Sequence, residues 1–134
     1  MEYVWSDSLS VGHEKIDGQH KQLFAAINDL IRVSQSGNTG DELKKSLDFL
    51  NDYTIKHFFE EEQLQLKFQY PDYENHKKLH EGLKQVLREL MHEWILKGSS
   101  KALAEGIKVK IGDWLVTHIK AEDTKLGAHI KSKS

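Results

Sequence analysis

Eight histidines stand in a chain of 134 residues that has no cysteine at all. Histidine is the commonest nitrogen ligand for metal ions and the side chain that titrates near neutral pH. Thiolate sites, disulfides and cysteine nucleophiles are excluded, which leaves nitrogen and oxygen donors. Five of the histidines interrupt rows of apolar residues spaced by three and four. One row reads Tyr73, His76, His80, Leu83, Leu87, Leu90, Trp94; another reads Leu43, Leu47, Leu50, Thr54, His57, Glu61, Leu64. His20 leads into Leu23, Ile27, Leu30 and Ser34, and Leu103, Ile107, Ile111 and Trp114 lead to His118. This period marks a helix face turned to a core. A single histidine on such a face has an ordinary explanation as a hydrogen-bonded core residue. Burying one unpaired polar group costs roughly 1–3 kcal/mol, and an unpaired charge far more. Histidines and a glutamate on four core faces therefore need a common partner. His76 and His80 project from one face toward one point, as do His57 and Glu61.

Four helices must position these groups. Punctuation predicts helix 1 over about 18–36 with Asp17 as its N-cap, ended by Gly37, Asn38 and Gly40. Thr39 and Glu42 have capping-box spacing, so the second should span about 40–67. Pro71, the sole proline, breaks the chain before a third helix over about 72–97 that stops at Gly98. Ser99 or Ser100 then caps a fourth over about 101–121. A short helical turn in 122–130 and a frayed end complete the chain. Short connections make successive helices antiparallel neighbours, which gives an all-α, up-down-up-down antiparallel four-helix bundle with an irregular N-terminal arm over 1–16. In that topology odd helices start where even helices finish. His20, His57, Glu61, His76, His80 and His118 then fall at one end of the bundle, a coincidence that follows from topology alone. Gly106 and Gly112 weaken the fourth helix and suit close packing.

The remaining composition narrows the function classes. Nineteen basic against 21 acidic side chains leave a net charge of −2, which gives no electrostatic case for nucleic acid or an anionic membrane. No apolar stretch approaches the ~20 residues of a membrane span, and Met1–Ser10 lacks the basic start and apolar run of a secretory signal. One domain over 1–134, in the cytoplasm, is the expectation: arm 1–16, bundle 17–121, turn and tail 122–134.

Five imidazoles exceed the needs of one tetrahedral zinc. Nitrogen and oxygen donors without thiolate suit iron or manganese. Two octahedral ions offer about twelve positions between them. Five histidines, two bridging carboxylates and one oxo or hydroxo bridge fill about eleven of these and leave one open for a ligand. Glu61 supplies one carboxylate. The second is ambiguous: Glu122 lies four residues after His118 and shares its face, whereas Asp123 lies five after and is rotated away unless the helix widens there.

The motifs D-G-Q-H at 17–20, H-F-F-E-E at 57–61, H-K-K-L-H at 76–80 and W-L-V-T-H-I-K-A-E-D at 114–123 make the chain closely resemble the hemerythrin family, in particular its single-domain bacterial members. The opening W-S-D-S-L-S-V-G at 5–12 and Y-P-D-Y at 70–73 add to the likeness, which covers essentially the whole chain. The resemblance implies a hemerythrin-like domain that binds dioxygen reversibly at two non-haem iron ions, oxo- or hydroxo-bridged, for storage, delivery or sensing. His76, His80 and His118 would hold one ion, His20 and His57 the other, and Glu61 and Asp123 would bridge them. It thus favours Asp123 over Glu122. It implies an oxygen-binding protein rather than an enzyme; the alternative is a di-iron redox enzyme acting as a peroxidase, an iron oxidase or on nitric oxide. An oxygen-consuming or signalling protein partner is left unidentified. By position, Leu23, Phe58, Leu83, Trp114, Leu115 and Ile119 are the candidates to line the oxygen pocket. His13, His92 and His129 have no counterpart in the family pattern and read as surface or arm residues.

Overall fold

The apolar rows do become inward faces of helices. The computed structural model describes residues 3–35, 41–98 and 100–133, with helices α1 (Glu14–Gln35), α2 (Asp41–Lys67), α3 (Tyr73–Lys97) and α4 (101–133). Among the described residues there is no strand. α1 packs on α2 and α4, and α3 packs on α2 and α4, so the four helices close a ring around one core. Ile27, Leu30, Leu43, Leu47, Leu50, Leu87, Leu103 and Ile107 are all buried there. No described helix is long and apolar enough to cross a membrane.

Helix ends follow the sequence in places and depart from it in others. Gly98 ends α3 at φ 74°, where its N–H is bonded to Trp94 O at 2.7 Å; this left-handed conformation is strained for residues with a Cβ. Ser100 is the cap of α4, since its Oγ accepts the Leu103 N–H at 3.0 Å. The Thr39 side of the expected capping box lies outside the described residues. Asp17 is not the cap of α1. The helix begins three residues earlier, and His13 Nδ1 accepts the Ile16 N–H at 3.3 Å at its start. Asp17 instead ties the arm down: its carboxylate accepts from Ser10 Oγ at 2.5 Å and from the Val11 N–H at 2.9 Å.

The fourth helix differs most from the expectation. It does not stop near 121; the C-terminal turn, Thr124–Lys133, continues it without a break. Two stretches widen to i→i+5 bonding, Lys108–Asp113 and Ile119–Asp123, with helical dihedrals at the junctions. Each such π turn absorbs one extra residue. The arm packs across the first of these stretches and across the helix beyond the second. The Tyr3 hydroxyl donates to Lys108 O at 2.6 Å and lies 2.7 Å from Asp113 Oδ1, and its ring covers Gly112, where a Cβ would sit 2.3 Å from Cζ. Farther along, a Cβ on Gly127 would stand 1.8 Å from Val11 O, so only glycine allows the arm to cross there.

Candidate metal centre

The helices deliver five imidazoles and two carboxylates to one end of the bundle. His20 comes from α1, His57 and Glu61 from α2, His76 and His80 from α3, and His118 and Asp123 from α4. All seven are 5 % exposed or less. Their facing atoms form two groups, Glu61–His76–His80–His118–Asp123 and His20–His57–Glu61–Asp123, each with donor atoms within 4.8 Å of one another. The two groups share both carboxylates.

Each carboxylate divides its oxygens between the groups. Glu61 Oε1 lies 2.9 Å from His76 Nε2 and 3.2 Å from His80 Nε2, while Oε2 lies 3.2 Å from His57 Nε2. Asp123 Oδ1 lies 2.9 Å from His76 Nε2 and 3.1 Å from His118 Nε2, while Oδ2 lies 3.0 Å from His20 Nε2. The π turn over Ile119–Asp123 makes this arrangement. On an α-helix a residue five after His118 points elsewhere; in the wider turn it comes back to the same face. Glu122, which ideal helix geometry favours, is half-buried and not among the grouped donors, in a groove with Leu79, Trp114, Thr117, His118 and Ala121.

The outer ring nitrogens fix how the imidazoles present themselves. His57 Nδ1 lies 2.6 Å from Gln19 Oε1, and Gln19 Nε2 donates to Glu60 Oε2 at 3.3 Å, which orients the amide. His80 Nδ1 lies 2.9 Å from Glu62 Oε2. Both oxygens accept, so both Nδ1 atoms carry the hydrogen and both Nε2 lone pairs face inward, the usual arrangement behind a metal ligand. Gln19 and Glu62 were missed in the sequence. Their only signal is adjacency to His20 and Glu61, since the sequence does not show which imidazole each will meet.

Inside the cluster, His20 Nε2, His57 Nε2, His80 Nε2, both Glu61 oxygens and Asp123 Oδ1 are buried with no hydrogen bond among the described residues. Buried polar groups are ordinarily satisfied, so lone pairs converging at about 3 Å without a hydrogen bond call for a cation. The residues fit one on each side. Ionisation in the metal-free arrangement follows from the same crowding. Burial opposes a charge on Glu61, but His57, His76 and His80 override it and hold the carboxyl well below its usual range. Asp123 is lowered likewise, with burial and Glu61 opposing and His118, His20 and His76 prevailing. Burial would lower His76, yet Asp123 and Glu61 push it up to about 10.

The expected pocket residues are split by the structure. Leu23, Phe58, Leu83 and Leu115 line one cavity of about 10 Å³, together with Ile27, Leu50, Thr54 and Ile111. Leu23 and Leu83 lie three residues after His20 and His80; Thr54 and Leu115 lie three before His57 and His118. On all four helices that is one step, about 4.5 Å, deeper into the bundle. Trp114 is not among the lining residues; it stacks on the His118 ring at 4.4 Å and 12°. Ile119 is fully buried outside that lining. Phe58 also lies flat on His80, 3.8 Å between centroids. Of the three other histidines, His92 is exposed as expected. His13 caps α1, and His129 is half-buried, with Nε2 donating to Phe68 O at 2.7 Å and its ring against Tyr70.

Comparison with known proteins agrees with this architecture. The hemerythrin HHE cation binding domain matches residues 11–130. The chain belongs to that family. Among curated relatives of this hemerythrin-domain chain, a myohemerythrin of Theromyzon tessulatum is 32 % identical over 92 % of this chain and 89 % of its own. A bacteriohemerythrin of Stenotrophomonas maltophilia is 28 % identical over 96 % and 82 %. A crystal structure of wild-type hemerythrin superposes with a TM-score of 0.86 at 30 % identity, covering 96 % of this chain and 97 % of that one.

Proposed function

We propose that this chain binds dioxygen reversibly at a pair of non-haem iron ions. The observation that carries the reading is the sharing of both carboxylates between two histidine groups, three imidazoles on one side and two on the other. His76, His80 and His118 would hold one ion, His20 and His57 the second, with Glu61 and Asp123 common to both. The side with two histidines has one protein donor fewer, so a small ligand would find its position there. Iron, when bound, supplies the electrons that dioxygen takes up and returns. The chain's own residues do the rest. Gln19 and Glu62 hold the His57 and His80 rings in the tautomer that turns Nε2 inward. Leu23, Phe58, Leu83 and Leu115 surround the cavity beside the histidine layer and keep water from competing for the site. The relatives' names, bacteriohemerythrin and myohemerythrin, agree with an oxygen-binding protein.

Oxygen titration of the reduced, iron-loaded protein tests the proposal. It should take up one dioxygen per two irons and release it under vacuum with its original absorption restored. Rapid oxidation without an oxygenated species would overturn it in favour of a di-iron redox enzyme. Elemental analysis of the same sample fixes the metal.

A further inference from the structure

The cavity beside the histidine layer is lined by seven apolar residues and one polar one, Thr54. Thr54 is 2 % exposed and sits in the middle of α2. A threonine hydroxyl inside a helix ordinarily bonds to the carbonyl four residues back. Ser34 and Thr124 do this, reaching Leu30 O and Lys120 O at 2.8 Å each. Thr54 forms no such bond among the described residues. Valine would fill the same volume without the cost of burying a hydroxyl. Among the described residues lining the cavity, this hydroxyl is thus the only strong side-chain hydrogen-bond donor, three residues from His57 on the same helix face.

Resting on the oxygen-binding reading above, we infer that Thr54 is a specificity-determining residue whose hydroxyl donates a hydrogen bond to dioxygen held at the His20/His57 side, slowing its release. Free dioxygen is a poor acceptor. It becomes a good one only as it takes up electron density, and hydrogen bonds to charged acceptors are roughly twice as strong as neutral ones. The hydroxyl therefore discriminates between the bound and the free ligand. It acts on dissociation and leaves entry, which is governed by the apolar walls, unchanged.

The test is stopped-flow oxygen kinetics on iron-loaded wild type, Thr54→Val and Thr54→Ser, with the O–O stretch of each oxygenated form identified by isotopic substitution. Thr54→Val should release dioxygen about tenfold faster, equivalent to about 1.4 kcal/mol, with association within about twofold of wild type. Its O–O stretch should shift, and Thr54→Ser should restore both rate and frequency. Thr54→Ala supplies the same comparison if the valine variant does not load iron. Dissociation within about twofold of wild type and an unmoved O–O stretch overturn the inference. A wild type that never forms an oxygenated species refutes the functional proposal instead, and is distinguishable from that result.

Discussion

Replacement of Asp123 by alanine probes the widened turn and the shared-carboxylate centre together. Asp123 is 1 % exposed and presents its oxygens at 2.9–3.1 Å to imidazoles from three different helices. In the proposed centre Asp123 would be a ligand common to both ions. Removing a mere supporting partner of a ligand costs about 10–100-fold in metal affinity, so a shared ligand should cost at least about 100-fold, or about 2.7 kcal/mol. With free iron well above its dissociation constant in both proteins, that same amount vanishes from the metal-dependent stabilisation. For a chain of this size it corresponds to a fall in Tm of roughly 10 °C. Glu122→Ala is the control. Glu122 is half-buried and not among the grouped donors, so Glu122→Ala should leave iron content and the metal-dependent gain in Tm near their wild-type values. Iron per chain by elemental analysis, and thermal melts with and without iron, give the readout. Equal iron content and an equal metal-dependent gain in Tm in the two variants would refute both the assignment of Asp123 and the role given to the π turn.

Gln19→Ala should weaken iron binding about 10–100-fold, because His57 Nδ1 loses the acceptor that orients its ring; competition with a chelator measures this, and an unchanged constant counts against the orienting role. Leu83→Ala, which enlarges the cavity wall, should destabilise the fold by about 2–5 kcal/mol and hasten loss of the oxygenated form, seen in denaturant midpoints and in the decay of its absorption. The metal-free protein should lose stability as pH rises from 6.5 toward 10. His76 is raised in the folded state from 6.5 to about 10, so its contribution is complete below 6.5 and disappears as pH climbs through the folded value. Glu61 and Asp123, held low, act at the opposite end, and their contribution is lost only in acid. Denaturant midpoints at pH 6 and pH 9 check the sign: equal midpoints without metal contradict it, and iron-loaded protein should show no such alkaline decline.

The histidine layer was legible in the sequence because two independent signals coincide. Polar groups interrupt apolar rows, and antiparallel topology brings the interruptions to one level. The second carboxylate was not legible from spacing. Whether Asp123 or Glu122 reaches His118 depends on the width of one helical turn, and backbone hydrogen bonding leaves no mark on side-chain periodicity; only the family motif favoured Asp123. The start of α1 was misplaced because an aspartate before a helical row reads as a cap, whereas Asp17 meets the arm instead. His129 read as a surface residue since nothing local ties it to Phe68, a residue far away in the chain. Thr54 stood in the row of α2 beside His57, but only the folded arrangement shows that its neighbours in the cavity are all apolar.

All seven groups of the proposed centre lie in one half of the bundle, and the other half is almost entirely hydrocarbon, with Ser34 bonded to its own helix at Leu30 O. Leu30, Leu43, Leu47, Leu87, Leu90, Leu103 and Ile107 are at most 2 % exposed and owe nothing to an ion. The molecule is therefore two-storeyed. One storey is held mainly by apolar burial; in the other, several buried lone pairs have no hydrogen-bond partner among the described residues, although His76 Nε2 and His118 Nε2 pair at 3.1 Å. In the proposed centre, iron would act as a fastener on an existing scaffold, and the end assigned to the chemistry would be the end that opens first if the metal left.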